Sequence, residues 1–213
     1  MLILGISGSN RKAGTEYCVK RALRAAEESI PGTTTRYLSL KGKKISFCIH
    51  CDRCIKERCL CTVKDDFQEI QDAFLEADGY IIGTPVYNMN CTPLLQAFFS
   101  RLRPLFLVHP GIVANRVGGA IAVGGTRHGG QESAILAIRN FYLTFEILVT
   151  GGPSDNYGGA AVWSRDRAEE GVIEDAIGME KVVGLGRRIA EVAWILKKGK
   201  EGLSNQVYRN AHR

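Results

Sequence analysis

The stretch Gly5-Ile6-Ser7-Gly8-Ser9-Asn10-Arg11-Lys12-Ala13-Gly14-Thr15 decides the fold, because it joins an apolar strand to a helix through small polar residues. The apolar run 1–6 enters it, and a segment of helical period leaves it. Backbone N–H groups and the positive end of a helix dipole converge at such a turn and bind anions. The alternative is a serine-rich turn with an ordinary N-cap. We expect a site for one phosphate monoester, formed by Ser7, Ser9, Asn10, Arg11, Gly14 and Thr15.

Two better-known phosphate motifs are missing from the chain. No G-x-G-x-x-G opens this helix, and G-x-x-x-x-G-K-[ST] does not occur. Their absence argues against a dinucleotide site of the Rossmann type and against a nucleoside triphosphatase. FMN carries a single terminal phosphate and therefore suits the loop better.

Length and composition indicate one α/β domain. The chain has 213 residues, of which 45% are hydrophobic and 23% are charged, as in ordinary globular proteins. We expect a domain over residues 1–198 and a polar tail over 199–213. No apolar run approaches the roughly 20 residues that span a bilayer. Met1 leads directly into a strand, which leaves no room for a signal peptide and predicts a cytoplasmic protein.

The basic residues give a net charge of +6 but are scattered along the chain. Aromatic residues do not interleave with them as in a surface that stacks on nucleic-acid bases. We therefore expect no nucleic-acid and no membrane partner, whereas an acidic redox protein remains a possible partner.

Strand and helix patterns alternate along the chain, which predicts a doubly wound parallel sheet. Five strands are expected, in the flavodoxin-like order 2-1-3-4-5, at residues 1–6, 33–40, 79–83, 117–123 and 146–150. Helices are expected at about 15–29, 66–77, 93–102, 132–142 and 178–197. Ligands of such sheets bind beyond the carboxyl ends of the strands, where strands 1 and 3 diverge.

Three loops follow strands 1, 3 and 4 and therefore converge at that edge: the first loop (residues 7–14), the second loop (84–92) and the third loop (124–131). A flavin ring needs a flat, partly apolar bed with backbone donors, and close backbone approach on its other side. Tyr87 fits such a bed, or is simply a core or surface tyrosine, and Arg127 either holds negative charge on a reduced flavin or is solvated. The candidates are Thr84, Pro85, Val86, Tyr87, Asn88, Gly124, Gly125, Arg127, Gly130 and Gln131.

Five of the seven cysteines crowd into residues 42–62, an irregular insertion after strand 2 that we call the cysteine segment. Its repeat Cys48-x-x-Cys51-x-x-Cys54 is compact enough to wrap one corner of an iron–sulfur cube. Cys59 and Cys61 are both within reach as a fourth ligand. Zinc is an alternative, although zinc sites commonly separate two C-x-x-C pairs by a longer span, and thiols without metal are another.

Together these motifs resemble the iron–sulfur flavoproteins, a branch of the NADPH-dependent FMN reductase family. The resemblance covers residues 1–194 and rests on the first loop, the cysteine array with the following Asp65-Asp66, residues 77–87 and residues 124–132. It implies bound FMN, a 4Fe–4S cluster and assembly as a homodimer or homotetramer. The family pattern places the last ligand shortly before the acidic pair, so the implied metal ligands are Cys48, Cys51, Cys54 and Cys61, with Cys59 as the alternative fourth ligand.

The resemblance also implies a flavin-dependent oxidoreductase that takes electrons from a ferredoxin-type donor and passes them to a small-molecule acceptor such as O2 or H2O2. The cofactors would carry this chemistry, so we expect no catalytic side chain. One alternative is an NAD(P)H-dependent FMN or quinone reductase without a cluster. Another is a non-enzymatic electron-transfer shuttle.

Overall fold

Six parallel strands form the central sheet of the computed structural model, which describes residues 1–203. In chain order the strands are β1 (Leu2–Ser7), β2 (Thr34–Ser39), β3 (Gly79–Pro85), β4 (Val117–Gly124), β5 (Leu148–Val149) and β6 (Ala160–Trp163). The sheet order is β2-β1-β3-β4-β5, which confirms the flavodoxin-like topology, and β6 also pairs with β4.

The edge of the sheet beyond β4 differs from the expected single strand. β5 pairs only with Val117 and Gly118, and β6 pairs with the stretch from Ile121 to Gly124. The two short strands therefore occupy one position in the sheet, interrupted by residues 150–159. Sequence analysis missed β6, which brings residues 160–163 to the carboxyl end of β4.

Eight helices lie within residues 1–203. Three short ones, at Arg53–Lys56, Pro104–Leu107 and Ala168–Glu174, were not expected from the sequence. The last helix runs on to Gly202, past the expected boundary at residue 198, and residues 204–213 of the expected tail lie outside the described residues. None of the helices described is long and apolar enough to cross a membrane. The helices are α1 (Gly14–Ser29), α2 (Arg53–Lys56), α3 (Phe67–Glu76), α4 (Pro93–Arg101), α5 (Pro104–Leu107), α6 (Gln131–Thr144), α7 (Ala168–Glu174) and α8 (Ala176–Gly202).

Helices cover both faces of the sheet, because successive strand residues point to opposite sides and both sets are apolar. Ile3 and Ile81 pack with α1 and α8, whereas Leu4 and Ile82 pack on the other face with α3, α4 and α6. Each such side chain stabilises the fold by about 1.5–3 kcal/mol when fully buried. Gly5 lets α1 lie directly on β1, since a Cβ there would stand 2.6 Å from Leu23 Cδ1. This close packing places the start of α1 at the carboxyl end of the sheet.

Candidate functional site

The first loop is held against the second loop by direct hydrogen bonds. The N–H of Gly8 donates to the carbonyl oxygen of Gly83 (2.7 Å), and Thr92 Oγ1 donates to the carbonyl oxygen of Gly8 (2.8 Å). Ser9 is buried, and its Oγ accepts the N–H of Arg11 (3.2 Å), so this hydroxyl shapes the turn. Among the other candidates here, Ser7 and Thr15 are buried, whereas Asn10 and Arg11 are exposed.

The N-terminus of α1 is not capped by a side chain. Its N-cap residue is Ala13, in an extended conformation, and no side-chain oxygen accepts from the first turn. The first N–H groups of an α-helix have no partner inside the helix. Those beginning at Gly14 therefore lack a partner within the helix, and Arg11 and Lys12 are exposed on the adjoining loop. This geometry suits a phosphate group.

The second loop closes into a tight turn at the end of β3. The N–H of Val86 donates to the carbonyl oxygen of Val123 (2.9 Å), which ties the loop to β4. Tyr87 and Asn90 exchange two backbone hydrogen bonds (2.9 Å each), and Asn88 between them has a left-handed φ of 47°. The side chain of Tyr87 is 45% exposed, which places it at the surface of the turn rather than in the core.

Gly130 lies where the third loop meets α6, and its φ is 103°. Glycine adopts this angle readily, whereas other residues are strained by it. A Cβ at this position would lie 2.8 Å from Met89 Cα, so the third loop contacts the second. Gln131 is buried, and its Nε2 donates to the carbonyl oxygen of Thr126 (2.7 Å). Its Oε1 is buried without a hydrogen-bond partner among the described residues. Buried polar atoms are nearly always paired, so this oxygen is an exception within the described residues.

Trp163 of β6, which sequence analysis missed, contacts the third loop. Its Nε1 donates to the carbonyl oxygen of Gly125 (2.9 Å). The guanidinium of Arg127 lies 4.4 Å from the ring centroid, and that of Arg165 lies 4.5 Å from it. Arg127 thus contacts an aromatic ring. Neither interpretation of Arg127 from the sequence included this contact.

Cys91, in the second loop, is buried and belongs to the packing rather than to a reactive site. Burial raises the pKa of its thiol to about 12. Its Sγ lies 3.5 Å from the carbonyl oxygen of Ala134 in α6. A thiol this well protonated is a poor nucleophile and a poor metal ligand at neutral pH.

The cysteine segment brings four of its five thiols around one small hollow. Cys48, Cys51, Cys54 and Cys61 line it, together with side chains that include Arg101 and Arg103. Cys59 is not part of the lining, and its Sγ lies 3.9 Å from Glu57 Oε2. In the part of the chain described, no three Cys, His, Asp or Glu side chains stand close enough to hold a metal ion. The thiols therefore share a space without forming a ready ligand set.

The end of α4 anchors this segment at several points. Ser100 Oγ accepts the N–H of Cys48 (3.0 Å), and Arg103 pairs with Asp52 (2.6 Å). Arg101 Nε donates to Cys61 Sγ at 3.0 Å. No sequence motif pointed to these helix residues.

Helix α4 also connects the two regions. Its N-cap, Thr92, donates to the first loop, and its last residue, Arg101, contacts the cysteine segment. The helix has nine residues and is therefore about 14 Å long at 1.5 Å per residue. One short helix thus links the edge of the sheet that we expect to bind an anion to the cysteine hollow.

Comparison with known proteins agrees with this architecture. Residues 1–155 match the family model of NADPH-dependent FMN reductases. An iron–sulfur flavoprotein of Methanocaldococcus jannaschii is 43% identical over 204 residues, which cover 95% of this chain and all of that protein. One from Archaeoglobus fulgidus is 41% identical over 192 residues, which cover 90% and 96% of the two chains. The solved structure of a flavone reductase superposes with a TM-score of 0.70 at 22% identity, over 92% of this chain and 64% of that one, and supports the fold.

Proposed function

The chain belongs to the NADPH-dependent FMN reductase family and, within it, to the iron–sulfur flavoproteins, and from this premise we propose that it passes electrons from a ferredoxin-type donor through a 4Fe–4S cluster to FMN and on to a small-molecule acceptor. That it is an FMN-dependent oxidoreductase follows from the family itself. The observation that carries the finer proposal is the hollow lined by Cys48, Cys51, Cys54 and Cys61, joined to the anion-binding edge by α4.

The FMN phosphate lies, in this proposal, at the uncapped N-terminus of α1. The first loop supplies Ser7, Ser9, Asn10, Arg11, Gly14 and Thr15 there. The second loop supports the ring through Thr84 and Pro85, which lie at the end of β3 with Thr84 buried, and through Val86, Tyr87 and Asn88 of the turn. The third loop closes the other side with Gly124, Gly125, Arg127, Gly130 and Gln131. The unpaired Oε1 of Gln131 fits a flavin, whose ring N–H and ribityl hydroxyls are donors.

The cluster ligands in this proposal are Cys48, Cys51, Cys54 and Cys61. Four thiols are the donor set that iron–sulfur clusters use, and Cys59, the remaining cysteine of the segment, does not line the hollow. When bound, the cluster passes electrons singly and FMN holds two, so two one-electron oxidations of the donor balance one two-electron reduction of an acceptor such as O2 to H2O2, with two protons. From α4 the protein holds Cys48 through Ser100 and Cys61 through Arg101.

The partners follow from the surface around the cysteine segment. Exposed basic side chains flank it, and they favour an acidic one-electron donor. The side chains are Lys41, Lys44, Lys56, Arg58 and Lys64. All seven cysteines are free thiols, which supports a reducing cytoplasmic location. The exposed apolar residues Ile177, Trp194 and Ile195 of α8 support assembly into a homodimer or homotetramer.

A competing function is direct reduction of FMN by NAD(P)H, which the description of the family model favours. Anaerobic mixing with NADPH, NADH or a reduced ferredoxin distinguishes the two. Flavin bleaching by the ferredoxin and not by the nucleotides supports our proposal. Bleaching by a nucleotide in protein that contains no iron supports the competing hydride transfer.

Replacing Cys51 with Ala tests the ligand assignment. We expect Cys51→Ala to lose the iron, the sulfide and the cluster absorbance while FMN remains bound at wild-type stoichiometry. Cys59→Ala is the matched control within the same segment and keeps all of them. The measurement is an absorption spectrum of anaerobically purified protein with iron, sulfide, zinc and flavin assays. Full cluster absorbance in Cys51→Ala, or zinc in place of iron in the wild type, contradicts the assignment.

A further inference from the structure

Arg101, the last residue of α4, is a buried charge that contacts the cysteine segment. Only 1% of it is exposed, and its guanidinium is permanently protonated. Burying such a group is costly unless its N–H groups are paired. Nη1 donates to Asp65 Oδ2 (2.9 Å) and to the carbonyl oxygen of Ser46 (3.0 Å), and Nη2 donates to the carbonyl oxygen of Val63 (2.8 Å). The ring of Phe67 lies 4.5 Å from the guanidinium carbon.

The remaining bond of Arg101, from Nε to Cys61 Sγ, is not needed to balance its charge. Asp65 already supplies a carboxylate, whose side chain is 10% exposed. The bond at 3.0 Å instead holds the sulfur of Cys61 beside the cysteine hollow. Cys59 has different surroundings, since its sulfur lies 3.9 Å from Glu57 Oε2, and Glu57 is itself paired with Arg53. Cys61 thus accepts a hydrogen bond from a buried cation, whereas the hydrogen-bond partner of Cys59 is an acidic side chain.

We propose that Arg101 is a positioning residue that selects Cys61 over Cys59 as the fourth cluster ligand and raises the reduction potential of the cluster through its N–H···S bond. The proposal rests on the proposed function. A donor to a ligand sulfur stabilises the more negative, reduced state, and hydrogen bonds to sulfur are among the factors that set cluster potentials. Charge-assisted bonds of this kind are stronger than neutral ones.

Arg101→Lys tests the effect on potential, because lysine keeps the charge and loses the planar fork. We expect the reduction potential of the cluster to fall by about 59 mV, which corresponds to a tenfold change in the one-electron equilibrium constant. Arg116→Lys is the matched control. Arg116 is partly buried, and it donates to Tyr80 OH and the carbonyl oxygen of Phe74, away from the cysteines. Arg116→Lys should lower the melting temperature and leave the cluster potential at the wild-type value.

Cysteine variants test the choice of ligand. Cys61→Ala should lose most of its iron and sulfide, whereas Cys59→Ala should keep both. The reverse pattern overturns the proposal. So does an Arg101→Lys protein whose potential equals that of the wild type, even if its melting temperature falls, because that result describes a purely structural arginine.

A measurement on the wild type covers the case in which Arg101→Lys does not fold. Protein labelled with 15N-arginine is reduced, and pulsed EPR is used to look for coupling between the cluster and a 15N nucleus. We expect that coupling to be present and to persist in Arg103→Lys, and its absence overturns the proposal. If the wild-type protein contains no iron, both the proposed function and this inference are wrong. If the iron-loaded protein shows no coupling, only the role of Arg101 is wrong.

Discussion

Gly130 joins two loops through a single backbone conformation. We expect Gly130→Ala to weaken FMN binding, because alanine at a φ of 103° is strained and its Cβ would lie 2.8 Å from Met89 Cα. Strain of this kind costs about 1–3 kcal/mol, and the loops must separate to relieve the contact. FMN titration followed by flavin fluorescence gives the affinity, and urea unfolding of FMN-free protein gives the stability.

Gly199→Ala is the matched control for this substitution. Gly199 lies in α8, and a Cβ there meets no heavy atom within 4 Å. Alanine should stabilise the helix by up to about 1 kcal/mol and leave the FMN affinity unchanged. If Gly130→Ala binds FMN as tightly as Gly199→Ala does, the third loop is not part of the flavin site.

The residues that sequence analysis identified are those whose role is visible in local spacing. Cys48, Cys51 and Cys54 stand at intervals of three, and the glycines and serines of the first loop are near neighbours in the chain. Arg101 and Trp163 act instead through contacts that span 40 and 38 residues. Neither belongs to a motif, so only the folded chain reveals that one meets a cysteine and the other a glycine of the third loop.

Among the helices, α4 contacts both the first loop and the cysteine segment. Its N-cap, Thr92, accepts the N–H of Leu95 (3.2 Å) and donates to the buried carbonyl of Gly8 (2.8 Å). We expect Thr92→Val to cost about 2–4 kcal/mol, since it removes a helix cap and leaves a buried acceptor unpaired. FMN affinity should fall in parallel, because the first loop loses its anchor.

Thr92→Ser keeps the hydroxyl and is the control for that loss. Its stability should stay within about 1 kcal/mol of the wild type, since serine caps helices as well as threonine does. Denaturant unfolding and FMN titration of both variants provide the comparison. Equal stability and equal affinity in Thr92→Val would mean that α4 does not hold the first loop.

Element boundaries were predictable where the pattern is local. The sequence predicted a helix at about 93–102, and in the structure α4 runs from Pro93 to Arg101 while Pro104 begins α5. Proline fits the first helical position because its missing N–H is not needed there. β6 escaped prediction because it has four residues after a glycine-rich loop, and its pairing with β4 is visible only in the folded sheet.

For the whole molecule, the alternation of strands and helices was sufficient to predict the topology. Buried parallel strands are nearly continuous apolar runs, and β1, β3 and β4 are visible as such in the sequence. Their order then follows from the rules for doubly wound sheets. The contacts that tie the ends of the chain to the sheet do not follow from these patterns.

Asp78 makes one of these long-range contacts. Its Oδ2 accepts the N–H of Leu2 in β1 (2.9 Å) and an N–H of Lys197 Nζ in α8 (3.1 Å). Burial alone would raise the pKa of Asp78, but these hydrogen bonds and the positive charge of Lys197 outweigh it and lower the pKa below its usual value. The carboxylate form therefore stabilises the folded state.

We predict that Asp78→Asn destabilises the protein at neutral pH and that its difference from the wild type shrinks in acid. A group with a lowered folded pKa contributes fully above its unfolded pKa, which is about 3.9 for aspartate, and loses that contribution as the pH falls through the folded value. Urea unfolding at a series of pH values between neutral and about 3 measures the difference. Asp155→Asn, at a site with 73% side-chain exposure, should follow the wild type throughout. A gap between Asp78→Asn and the wild type that stays constant with pH would show that the charge of Asp78 does not hold the first strand to the last helix.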